Sequence, residues 1–218
     1  MYDTLDLKEL EKKAFRATYQ DGLWDIYVGC VVLSMSVLAY ADASEAYPFL
    51  RFGLFLAGLG ISYLLFWAGK KYLTTPRLGQ VKFGPHRQKR KSTLMIVLSG
   101  MLLLQVALLA GTIFLWRNPH IAASLGFTHS GDDLERLLVA ITGALIIGLG
   151  TAIIAYFNDF GRGYYIAFIL SLAVFSLIFF GQPIYLIAAG LLIIVPGVIL
   201  FIRFMREHPL PPAGASHD

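Results

Sequence analysis

Long apolar runs separated by short polar stretches dominate the chain, with neither the alternation of a half-buried strand nor the narrow stripe of a surface helix. A helix needs roughly 20 mostly apolar residues to cross about 30 Å of hydrocarbon. Six runs answer that description, at 23–41, 49–69, 93–116, 137–157, 163–180 and 183–204. They are continuously apolar, which excludes the in–out pattern of a membrane β-barrel. The pattern therefore predicts an all-α membrane protein, a six-transmembrane-helix bundle occupying residues 23–206. Trp24, Trp67 and Trp116 fall at run ends, as do Tyr40, Tyr156, Tyr164 and Tyr185. Rings that are apolar at one edge and polar at the other favour the headgroup layer, so they support the same boundaries.

Composition agrees. Of 218 residues, 57% are hydrophobic and 15% charged. A soluble domain runs about 45–50% apolar and about 25% charged, so this chain has too little polar surface to cover a soluble core. Low charge with abundant aromatics also excludes a disordered chain. The lone Cys30 excludes a disulfide framework and any cysteine-based zinc cluster.

The basic residues orient the bundle. Lys8, Lys12, Lys13 and Arg16 precede the first run, and Arg162, Arg203 and Arg206 mark later ends on the same side. Between runs two and three lie Lys70, Lys71, Arg77, Lys82, Arg87, Lys89, Arg90 and Lys91. Together these are fifteen of the eighteen Lys and Arg residues, against Arg51, Arg117 and Arg136 on the other side. Both termini are expected in the cytoplasm, and the protein is expected in the cell membrane, the inner membrane in a bacterium. Asp3, Asp6, Glu9 and Glu11 stand where a cleavable signal would be basic, so the first span is expected to stay as an anchor.

Outside the spans, Asp6-Leu7-Lys8-Glu9 resembles a capping box. Leu7, Leu10, Ala14 and Ala17 then share a face, which predicts an amphipathic helix in residues 1–22 lying in the cytoplasmic interface. On the outer side, Asn118-Pro119 opens and Gly126 closes a short predicted helix. Residues 207–218, rich in proline and small side chains, are expected to be a disordered cytoplasmic tail. The basic loop at 70–92 holds eight cations and no acid. Without them the formal net charge of +4 would become −4. Its glycine and proline punctuation between 76 and 85 predicts an extended or hairpin-like segment.

Catalytic chemistry is sparse. Asp25 is the sole acid inside a predicted span, and no Glu, His or Lys lies deep in any of them. Neither a metalloprotease motif nor a serine nucleophile with a histidine partner is present. His120 and His129, near Asp132 and Asp133, have no recognised ligand spacing, so no metal and no cofactor is expected. Three residues could serve a solute pathway or a hinge. Asp25 could also be an acid placed favourably at a helix start, and Gln105 an interhelical hydrogen-bonding group. Pro196 could be an ordinary kink, leaving the carbonyl of Leu192 without its helical donor. Small residues at Gly53, Ala57, Gly58 and Gly60, and at Ala144, Gly148 and Ala152, suggest close helix contacts.

The chemistry of the basic loop favours anionic phospholipid headgroups as its partner, with a cytoplasmic protein at residues 77–83 as the other possibility. Nucleic acid is not expected, since only Tyr72 and Phe83 could offer stacking platforms. The expected function is that of a non-enzymatic multi-pass membrane protein whose polybasic loop, Lys70 to Lys91, engages lipid or a partner. The alternative is a small-solute permease or channel built around Gln105 and the Pro196 break. A lipid-modifying enzyme comes last.

Overall fold

A computed structural model describes residues 19–40, 48–78, 85–118, 120 and 133–209. Regular structure among these residues is entirely helical. The helices are α1 (Leu23–Ala39), α2 (Pro48–Ala68), α3 (Pro85–Arg117), α4 (Asp133–Phe157), α5 (Arg162–Phe180) and α6 (Ile184–Glu207). Four stretches are long and apolar enough to cross a membrane: Phe49–Arg77, Arg136–Phe157, Arg162–Phe180 and Ile184–Glu207. Two shorter apolar helical stretches, Leu23–Ala39 and Ser92–Ala107, overlap the first and third predicted runs, the second beginning one residue ahead of its run. Of the amphipathic helix expected over 1–22, residues 19–22 form turns and bends and the rest lies outside the described residues; the outer helix expected at 119–126 lies outside them apart from His120; and of the tail expected to be disordered over 207–218, Glu207 still belongs to α6 while 210–218 lie outside them.

Most of the segment expected to be extended or hairpin-like, residues 79–84, lies outside the described residues; at its two ends, 76–78 and Pro85, the chain is helical. Past Ala68 the chain enters a π-helical turn, Gly69–Thr74, then an α-turn, Thr75–Leu78. Pro76 explains the change of register, because its ring nitrogen has no hydrogen to donate to the helix ladder. In the wider turn the Thr75 N–H reaches the carbonyl of Lys70, and the Thr75 hydroxyl donates to the same oxygen at 2.7 Å. On the far side Pro85 starts α3, a position that needs no N–H. The helix therefore begins eight residues before the apolar run at 93 and carries Arg87, Lys89, Arg90 and Lys91 in its opening turns.

Packing centres on α1, α5 and α6. Val32 from α1, Ile166, Ile169 and Ala173 from α5, and Leu186, Ala189 and Ile193 from α6 form the buried cluster. α1 also packs on α2, α4 packs on α5, and α3 touches α4. Glycines decide how closely α1 and α6 run. A Cβ on Gly29 would lie 2.8 Å from the Gly190 carbonyl, and one on Gly197 would lie 2.8 Å from the Cβ of Asp25. Gly22, at φ 74°, faces the Gly197 carbonyl at 2.2 Å from where its own Cβ would stand. Each helix thus contributes two glycines seven residues apart, and the antiparallel pair meets backbone to backbone, where packing replaces a hydrophobic driving force.

The α4–α5 contact uses the small residues the sequence singled out. A Cβ on Gly148 would meet the Ser171 hydroxyl at 3.0 Å, and that hydroxyl donates to the Ala144 carbonyl at 2.9 Å. Gly148→Leu is therefore expected to lower thermal stability in detergent more than Leu145→Ala, whose parent side chain is exposed. Melting of the two variants at the same temperature would remove Gly148 from the contact. On α2, by contrast, Gly53 and Gly60 face open space, and only Gly58 approaches a neighbour, the Ser34 hydroxyl of α1.

A candidate functional site: an ion-pair cluster beside the basic segment

At the start of α1 and the end of α2, charged side chains converge where the chain enters its apolar helices. Asp21 is wholly buried, with 0% of its surface exposed. Its Oδ2 accepts hydrogen bonds from Lys70 Nζ at 2.7 Å and Thr74 Oγ1 at 2.8 Å, and its Oδ1 accepts from the Leu23 N–H at 3.3 Å. The carboxylate thereby joins the π-helical turn to the start of α1. It also offers an acceptor to a helix-start N–H that has no intrahelical partner. An isolated buried carboxylate would be prohibitively costly, and three donors are what make this burial tolerable.

One helical turn on, Asp25 is also buried, and its Oδ2 lies 2.8 Å from Arg162 Nη1. The contact is an ion pair without hydrogen-bond alignment, and Asp25 Oδ1 has no hydrogen-bond donor among the described residues. Arg162 Nη2 donates to the carbonyl oxygen of Tyr19. Arg162 opens α5, so these contacts tie the α4–α5 turn to the start of α1. The same Asp25 rests against Gly197, the residue after Pro196. Five parts of the fold meet here: the chain before α1, α1 itself, the end of α2, the α4–α5 turn and α6.

Aromatic rings surround the cluster. Tyr19 stacks on Trp24 with centroids 5.7 Å apart and lies 5.4 Å from the Phe160 ring. Trp24 also meets Phe66 at 4.6 Å, and Tyr27 meets Phe66 at 5.0 Å. Rings from α1, α2 and the α4–α5 turn thus form one contiguous group.

The eight basic residues of the sequence reading have different environments. Lys70 is held by Asp21, as above. Lys71 lies over the Trp67 ring at 4.6 Å and the Tyr72 ring at 5.3 Å, in cation–π geometry. Arg77 Nη1 donates to the Leu73 carbonyl at 2.7 Å, and Lys89 is exposed near the start of α3. Lys82 and the side chains of Arg87, Arg90 and Lys91 lie outside the described residues.

The three residues considered for a pathway or hinge separate. Gln105 is exposed on α3, away from the buried cluster of α1, α5 and α6. Pro196 sits inside a helix that continues to Glu207. The Leu192 carbonyl that the proline deprives of its helical donor accepts a hydrogen bond from the Tyr165 hydroxyl of α5 at 3.1 Å. Asp25 belongs to the ion-pair cluster and is the only one of the three beside other charges. No group of three or more His, Cys, Asp or Glu among the described residues is arranged to hold a metal ion.

Sequence reasoning assigned no site role to Asp21 or Arg162. A signal for the Asp25–Arg162 pair was available, since Asp25 is the only acid within a predicted span and Arg162 the only base between runs four and five. Both fall on the same predicted side. No family model, curated protein or solved structure matches the chain. The fold is all-helical among the described residues, with four helices long and apolar enough to cross a membrane, and it is compatible with a helical membrane protein.

Proposed function

We propose that the chain is a six-span membrane protein with both termini in the cytoplasm, and that its basic segment from Lys70 to Lys91 gathers anionic phospholipid headgroups. The carrying observation is the persistence of helix on both sides of the α2–α3 connection. It keeps Lys70, Lys71 and Arg77 on the end of one apolar helix, with Lys71 over the Trp67 and Tyr72 rings, and Lys89 on the first turns of the next. Cations held rigidly at headgroup depth select lipid better than cations on a free loop, because less side-chain and backbone freedom is lost on contact. Each such charge contributes roughly 1 kcal/mol near an anionic leaflet, decaying over a Debye length. The spans already anchor the protein, so this energy goes into choosing neighbouring lipids. Lys70 contributes less than the others, its charge being matched by Asp21.

Replacing Arg87, Lys89, Arg90 and Lys91 together by Gln is expected to lower the anionic lipid that co-purifies, and raising salt is expected to do the same to the parent. Lipid mass spectrometry reads the result. A cysteine at Gln88, introduced after replacing Cys30, serves as the topology control and should react only from the cytoplasmic face of sealed cells. An unchanged anionic fraction with that topology intact refutes the lipid reading and leaves a cytoplasmic protein partner for residues 77–83.

A further inference from the structure

Gln105 lies midway along the predicted run at 93–116, roughly 18 Å of helix from its start. At that depth α3 stands clear of the other described helices. Nearer its start Leu94 is buried, and the Met101 methyl lies 3.4 Å from where a Cβ on Gly150 of α4 would stand. From 102 to 107, however, every side chain is exposed. Six successive residues pass all the way round a helix of 3.6 residues per turn, so no face of α3 is covered there. The Gln105 amide accordingly finds no hydrogen-bond partner among the described residues.

An unpaired amide is costly in hydrocarbon, because the acyl chains around it offer neither donor nor acceptor. A water-filled pathway would relieve it, but the other residues exposed at this level are Leu102, Leu103, Leu104, Val106 and Ala107. All are apolar, and one amide among them does not line a polar route. The group that satisfies Gln105 must reach the middle of the bilayer and carry both a donor and an acceptor. A side-chain amide has both, in its NH2 group and its carbonyl, so Gln105 is complementary to itself. A second copy of the chain, inserted with the same topology, brings its own Gln105 to the same depth.

We propose that α3 is the contact between two copies of this chain, paired in parallel across Gln105. In a dimer whose two-fold axis runs along the membrane normal, one surface meets itself. Each amide then donates an N–H to the carbonyl of the other. Leu102, three residues earlier and 60% exposed, lies on the same face and packs beside the pair. The amides also select which face of α3 is used, since the surrounding lipid-facing surface is uniformly apolar and gives no preference. The inference rests on α3 spanning the membrane, which is part of the proposal above, and is independent of the lipid reading of the basic segment.

The test uses the full chain in native membranes with Cys30 replaced. Under mild oxidation Gln105→Cys is expected to give a disulfide-linked dimer on a non-reducing gel. Leu103→Cys, at nearly the same depth on the opposite side of the helix, is expected to stay monomeric. In detergent, Gln105→Leu should weaken dimerisation roughly ten-fold by sedimentation equilibrium, the loss that a reciprocal amide pair implies. Gln105→Asn, which keeps the amide, should retain most of it. The position is exposed, so leucine there leaves the fold undisturbed. A membrane-impermeant maleimide separates this proposal from the reading beneath it. Reaction of Gln105→Cys from either face overturns the dimer and, with it, α3 as a lipid-surrounded span. Neither reaction nor disulfide overturns the dimer alone. Equal dimerisation by the parent and Gln105→Leu also overturns it, as does equal cross-linking of Leu103→Cys. A cross-link from Gln105→Cys to a chain of another mass overturns the second copy as the partner.

Discussion

Gly22→Val is expected to cost more stability than any other single exchange of a helix-contact glycine, and to leave little folded protein in the membrane. Two penalties coincide at this position. Gly22 has φ 74°, and any side chain there would begin 2.2 Å from the Gly197 carbonyl and 3.0 Å from the Phe201 backbone nitrogen. The left-handed conformation costs an L-residue roughly 1–2 kcal/mol, and overpacking a close contact costs typically about 1–3 kcal/mol more. Backbone atoms cannot turn aside as a flexible side chain can, so α1 and α6 must separate. Separation would also pull Asp25 away from Gly197 and loosen the end of the bundle that carries the charged cluster. Gly60→Val provides the control, because nothing lies within 4 Å of its Cβ direction. Thermal melting in detergent should show a large fall for Gly22→Val and almost none for Gly60→Val. Matching melting temperatures would mean that α1 and α6 do not approach as described.

Arg162→Met is expected to have the next largest effect, because it strands a buried charge. Asp25 is buried and has one partner for its charge among the described residues, Arg162, at 2.8 Å. Removing one member of a fully buried pair costs about 3–5 kcal/mol, most of it the penalty of leaving the other ionised in a low-dielectric site, and the 32% exposure of the Arg162 side chain lowers the figure expected here. Replacing both is a different matter, since an apolar pair of similar volume can be nearly neutral. The double variant Asp25→Leu/Arg162→Met should therefore recover much of the loss. A double-mutant cycle on unfolding in denaturant measures that coupling. Additive single effects would show that the two side chains do not interact in the folded protein. Arg203 and Glu207, an exposed pair one turn apart at the end of α6, should show little coupling in the same experiment, as exposed pairs do.

Much of this architecture was legible in one dimension. The apolar run at 163–180 coincides with α5 to within a residue, and that at 49–69 is displaced by a single residue from α2. Desolvation makes this possible. An unpaired backbone amide is so costly in hydrocarbon that an apolar run of sufficient length has helix as its local solution, and its ends are marked by the first residues that need water. The same rule says nothing about where a helix stops once it has left the apolar layer. That is why α3 starts at Pro85, well before hydropathy turns apolar, and why α2 runs on through Thr75–Leu78. Turn chemistry and proline placement set those ends, not transfer energy.

Which glycines touch was settled only in three dimensions. Gly53 and Gly60 have the composition of a helix contact and face open space, while Gly22, Gly29, Gly190 and Gly197 form the tight seam of α1 on α6. Residues 22 and 197 come from opposite ends of the chain, so no local pattern pairs them. The charged end of the bundle divides in the same way. The sequence by itself determined that Asp25, Lys70 and Arg162 carry charge at the polar margins of apolar runs on one predicted side, because side-chain chemistry and hydropathy are local properties. Tertiary structure decided that Asp21 takes Lys70 and Thr74, that Asp25 takes Arg162, and that Tyr165 caps the carbonyl freed by Pro196. Those pairings depend on which helices become neighbours. That choice comes from backbone approach and shape across the whole bundle, where every lipid-facing surface is equally apolar and hydrophobicity alone cannot rank the alternatives.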